Sequence, residues 1–95
     1  MSLHVVAELR AAAGHEDRLR TALESMIEPS LSEPGCRSCQ PFSNPNEPGH
    51  MVVVEEWDGP DALENHFATD HFRHIAGVLE SIVAEPIVIR RLVAE

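Results

Sequence analysis

Met51-Val52-Val53-Val54-Glu55-Glu56-Trp57 is the clearest strand in the chain. Its first four residues are apolar on both faces, whereas a strand covered on one side only would alternate. Asp58-Gly59-Pro60 stops it, and Pro60 suits the first turn of a helix. Upstream, Ser43 to His50 holds Asn44-Pro45-Asn46 and Pro48-Gly49, the composition of a long hairpin loop. The strand before that loop, Cys36 to Phe42, carries Pro41, which cannot donate to a ladder and so predicts an edge strand or a bulge.

Further outward, Glu33-Pro34-Gly35 reads as a turn. From His15, Leu19, Ala22, Leu23, Met26 and Ile27 fall on one apolar helical stripe. Pro29 ends that helix or kinks it towards Ser32. Leu3 to Arg10 is a first strand with Leu3, Val5, Ala7 and Leu9 on one face. Downstream of Trp57, Ala62, Leu63, His66 and Phe67 form the inner face of a short helix. Thr69 or Asp70 caps another, striped by Phe72, Ile75, Leu79, Ile82 and Val83. Pro86 ends it, and Ile87 to Val93 is the last strand.

This order, β-α-β-β-α-α-β, predicts one ferredoxin-like α+β domain over residues 1–95, with a four-stranded, mostly antiparallel sheet. The helices can cover only one face of that sheet. The two-sided apolar strands leave the other face in need of a partner, and a twofold homodimer packed sheet against sheet is the simplest closure. A lone domain of 95 residues, burying only roughly 60–65% of its unfolded surface, would be marginal in any case.

Seven basic residues against sixteen acidic ones give a net charge of -9, which argues against nucleic-acid and membrane partners. All seven basic residues are Arg, and there is no Lys and no Tyr, which excludes a Schiff-base lysine and a tyrosine acting as acid or radical. Met1 to Glu8 lacks the pattern of a signal peptide, and no apolar run approaches membrane-spanning length, so a cytoplasmic location is expected. Cys36 and Cys39 are too few for a structural zinc site. In a regular strand they face opposite ways, which favours two ordinary thiols over a redox pair.

His66, His71 and His74 crowd into ten residues, and histidine is the first candidate for moving protons near neutrality. His66 lies on an inner helix face, as a core or pocket residue. His71 opens the next helix, whose dipole disfavours the imidazolium. The helices break between the two, leaving no H-x-x-x-H pair with a nearby carboxylate on one face, so no metal is expected. Trp57 packs in the core or walls a ligand pocket with Phe67 and Phe72. One of Glu55 and Glu56 must face inward beside Trp57, and Arg90 or Arg91 is an available partner.

Val6-Ala7-Glu8-Leu9-Arg10, Gly14-His15-Glu16, Glu33-Pro34-Gly35-Cys36, Glu55-Glu56-Trp57 and His66-x-x-x-x-His71-Phe72 together resemble the antibiotic biosynthesis monooxygenase family, in order and from Leu3 to Val93. The resemblance implies a dimeric α+β barrel with a pocket between sheet and helices in each subunit. It also implies oxidation of phenols or hydroquinones by molecular oxygen without flavin, haem or metal, so no cofactor is expected. His66 or His71 would then accept the proton. Trp57, Phe67, Phe72, Leu63 and Val53 would contact the substrate. Polyketide-tailoring members of the family carry an Asn four residues before the Trp and a Tyr six after it; here these are Val53 and Leu63. The haem-degrading relatives' Asn, Trp and His are matched by Leu9, His66 and Ala76, which speaks against haem degradation. The second expectation from the same pocket is a non-oxidative one, isomerisation of a small carbonyl compound or ligand binding alone.

Overall fold

The computed structural model describes residues 2–93. Strand β1 (Leu3–Arg10) leads into helix α1 (Glu16–Glu24) and the short helix α2 (Ile27–Leu31). The hairpin β2 (Cys36–Ser43) and β3 (His50–Trp57) follows, then α3 (Pro60–Phe67), α4 (Asp70–Glu80) and β4 (Val88–Leu92). The four strands lie in the order β2-β3-β1-β4 and every pairing is antiparallel. This is the expected ferredoxin-like α+β fold, with the helices on one face of the sheet.

Several local outcomes follow from single residues. The first helical segment breaks at Ser25–Met26, not at Pro29. Pro29 instead sits in the first turn of α2, where a missing N–H costs no hydrogen bond. Pro60 takes the first position of α3, and the Thr69 hydroxyl caps α4 by accepting from Phe72 N–H at 3.2 Å. Pro41 lies on β2, an edge strand, as its missing donor requires.

The core divides into two clusters. Leu9, Leu19, Leu23, Met51, Ile75 and Leu79 join α1 and α4 to the sheet. Leu3, Val5, Trp57 and Leu63 join α3 to the other end of the strands. Trp57 and Leu63 are wholly buried. Among the described residues no helix lies over the opposite face of the sheet. Val6 and Val52 are partly exposed there, and Phe42, Val54, Val88 and Leu92 are each 38–50% exposed. That face is not uniformly apolar, because Glu8, paired in register with Val52, accepts from His50 at 2.7 Å and lies 3.6 Å from Arg90.

One register detail departs from the sequence expectation. Cys36 pairs with Trp57 and Cys39 with Glu55, with a bulge between Cys36 and Ser38. The bulge inserts one residue, so the two cysteines share the helix-covered face. Both are free thiols, and burial above all pushes Cys36 up to about 11 and Cys39 up to about 12. They therefore stay protonated near neutrality.

Candidate functional site

The seam between the two core clusters holds a cavity of about 90 Å³, under the helices and over the centre of the sheet. Val5, Ala7 and Leu9 of β1 and Val53 of β3 form its floor. Leu63, Phe67, Phe72 and Ile75 form walls from α3 and α4. Against this apolar lining stand His66, Glu55, Ser30 and Cys39. A few polar groups in an apolar hollow are the usual make-up of a small-molecule site.

His66 is only 4% exposed, on the inner face of α3. Its ring lies 4.6 Å from that of Trp57 and 5.0 Å from that of Phe72. Its Nδ1 donates to Glu33 Oε2 at 2.7 Å. The same oxygen accepts from His71 Nε2 at 2.6 Å. A carboxylate that accepts from Nδ1 fixes the proton there, leaving His66 Nε2 as the acceptor available to the cavity. Nε2 has no hydrogen-bond partner among the described residues. His71 itself does not line the cavity. It reaches the cavity only through Glu33, and its side chain is about one-third open to solvent.

Glu33 arrives from the turn before β2. Cys36 N–H closes the turn onto Glu33 C=O at 3.2 Å, with Pro34 and Gly35 at its centre. Gly35 has φ +87°, as the third position of a type II turn demands. A Cβ there would also sit 2.6 Å from the Ala62 Cβ, so only glycine lets the turn press onto α3. That approach carries Glu33 to His66.

Glu55 is the inward member of the glutamate pair. Its partner is neither Arg90 nor Arg91, which pair with Glu8 and Glu64. Trp57 Nε1 donates to Glu55 Oε1 at 2.8 Å, two residues along the same face of β3. Burial, only partly offset by this bond, raises the Glu55 carboxyl above the ordinary carboxylate range. Trp57 does not line the cavity; it packs behind it and holds two groups that do.

Of the residues singled out in the sequence, His66, Leu63, Val53, Phe67 and Phe72 thus meet at the cavity, and Trp57 and His71 stand behind it. Glu33 was absent from that set. No periodicity links position 33 to 66 and 71, and its one trace was the Glu-Pro-Gly turn. The carboxylate that no helix face supplied to the histidines comes from this turn.

Known proteins sharpen the picture. The antibiotic biosynthesis monooxygenase family profile matches residues 2–77, and the chain belongs to that family. An uncharacterized Synechocystis protein, sll1783, is 27% identical over 82 residues, 86% of this chain but only 56% of that protein's length. Rv0793 of Mycobacterium tuberculosis, which bears a provisional monooxygenase name, is 25% identical over 90% of this chain and 83% of its own. Among solved structures, PA3566 of Pseudomonas aeruginosa superposes with a TM-score of 0.92 at 26% identity, over 99% of this chain and 94% of that one. A protein described as an antibiotic biosynthesis monooxygenase superposes with a TM-score of 0.91 at 26% identity, over 98% of both chains. A monooxygenase-like function is the general activity that these relationships support.

Proposed function

We propose that the protein is a cofactor-independent monooxygenase acting on a small hydroquinone or phenol held in the seam cavity. The observation that carries this is His66: a buried imidazole on an apolar wall, its Nδ1 tied to Glu33 and its Nε2 without a hydrogen-bond partner among the described residues. A phenol that gives its proton to Nε2 becomes electron-rich enough to reduce oxygen itself. One oxygen atom then enters the ring and the other leaves as water; the ring itself supplies all four electrons and ends as a quinone, a phenol giving the quinone and a hydroquinone the hydroxyquinone. Glu33 stabilises the imidazolium formed, in the way a carboxylate supports a catalytic histidine elsewhere. The apolar walls keep competing water from the reactive pair. Phe67, Phe72, Leu63 and Val53 contact the ring, and Trp57 and His71 act through their neighbours. The working unit is a homodimer closed over the open sheet face, where Phe42, Val54, Val88 and Leu92 would be covered. Oxygen uptake by the metal-free protein across a panel of hydroquinones and phenols tests the activity. Uptake no faster than buffer for every compound would refute it.

A second reading has its own support. Glu55 and His66 are two proton-handling groups on one cavity, which suits moving a proton between carbons of a small carbonyl compound. Oxygen separates the two, because an isomerase turns over anaerobically and a monooxygenase does not.

A further inference from the structure

Glu33, His66 and His71 converge on one point from three separate segments: the turn before β2, the end of α3 and the start of α4. One ligand atom from each lies within 4.8 Å of the other two. We propose that this trio is a binding site for a divalent first-row transition ion, with zinc as the type case.

Two imidazoles and one carboxylate are a donor set that such ions favour, with a fourth position left for water. In the ion-free form two ring N–H groups point at the shared carboxylate oxygen. If each imidazole moves that proton to its other nitrogen, two lone pairs face the same point as the carboxylate, with no change in imidazole charge. The hydrogen-bonded N···O separations of 2.6 and 2.7 Å must open to roughly 3.3 Å, the tetrahedral spacing of donors that each lie about 2.0–2.1 Å from the ion. The exposed side of His71 provides both the slack and the route of entry, while the rings of Trp57 and Phe72 hold His66 in place. Glu55 lies close enough for its charge to be felt by both Glu33 and His66. The net charge of -9 adds a further attraction for a cation.

Occupancy has a consequence for the cavity. With the ion on Nδ1, His66 carries its proton on Nε2 and presents a donor to the cavity where it had presented an acceptor. On the oxygenase reading, which this consequence alone rests on, the ion and the base compete for one imidazole, so zinc suppresses turnover.

Calorimetric titration of the metal-free chain with zinc chloride, and cobalt(II) absorption as a geometric probe, test the site without any substrate. We expect one ion per chain with a Kd of about 10 µM or tighter, and an intense visible cobalt band of tetrahedral type. Glu33→Gln and His71→Ala should each weaken binding roughly tenfold or more. His74→Ala, exposed on the same helix as His71, should leave it unchanged. Circular dichroism on each variant establishes that it is folded; His71→Ala removes a part-exposed side chain and stays informative if Glu33→Gln does not fold. Absence of zinc uptake up to millimolar concentration overturns the proposal. So does wild-type affinity in either Glu33→Gln or His71→Ala, which would mark adventitious binding to surface histidines. Zinc binding with no activity in any assay would leave the site standing and count against the oxygenase reading instead.

Discussion

The two faces of the sheet carry the same chemical pair, a glutamate accepting from a histidine, in different surroundings. On the covered face Glu33 is 10% exposed and serves two histidines, one of them on a cavity wall. On the open face Glu8 is 29% exposed and accepts from His50, with Arg90 nearby. The His50 hydrogen bond holds the Glu8 carboxyl below its ordinary value, whereas burial holds Glu55, on the other side of the sheet, above it. The comparison shows that the layer over a strand, rather than the residue type on it, sets what a carboxylate or imidazole can do. Beneath the helices Glu33 and His66 are dry and oriented. On the open face Glu8 is the more exposed carboxylate and is screened until something covers it.

Trp57→Ala should give the largest effect. It empties a wholly buried site, removes the ring against His66 and leaves Glu55 without its donor, costing about 3–5 kcal/mol in urea unfolding. A loss as small as that of a surface substitution would mean that the covered face does not depend on it. Next comes His66→Ala, expected to lower turnover by about 10²–10⁴-fold, while His50→Ala on the open face leaves the chemical step unchanged. Equal effects from the two would erase the distinction between the faces. Val54→Asp places a charge at the centre of the open face and should cost association several kcal/mol for each carboxylate buried unpaired. If the proposed dimer forms, sedimentation velocity should show it for the unaltered chain and monomer for the variant, with the cavity intact.

The smallest effects lie in pH dependence and have opposite signs on the two faces. Glu55 binds its proton more tightly in the folded chain. Its contribution to stability is therefore greatest below the ordinary value of 4.5 and is lost as pH rises through the raised one. Glu8 binds its proton less tightly when folded, so its contribution is present above 4.5 and is lost as pH falls through the lowered value. Urea midpoints from pH 3 to 8 should show Glu55→Gln losing less stability than the parent on the alkaline side. Glu8→Gln should lose less on the acid side. Matching slopes in both variants would show that burial does not distinguish the two groups.

Much of the frame was legible along the chain. Alternating Leu3, Val5 and Leu9 placed the buried face of β1, Pro60 and Thr69 marked two helix starts, and Pro41 marked an edge strand. Break points were harder, because one bulge residue turned Cys36 and Cys39 to the same face and α1 ended before its proline. Of the site, the inward helix face bearing Leu63, His66 and Phe67 was readable from period alone. Its partners were not, since Glu33 stands 33 residues from His66 and 38 from His71.

By itself the sequence determined the order of elements, the covered and open faces of the sheet and the absence of Lys and Tyr chemistry, because periodicity, turn residues and composition are local properties. Only the tertiary structure decided that Glu33 joins two histidines, that Glu55 answers to Trp57 rather than to an arginine, and that Trp57 stands behind the cavity. Those contacts are made across loops and layers, where packing and burial choose each polar group's partner.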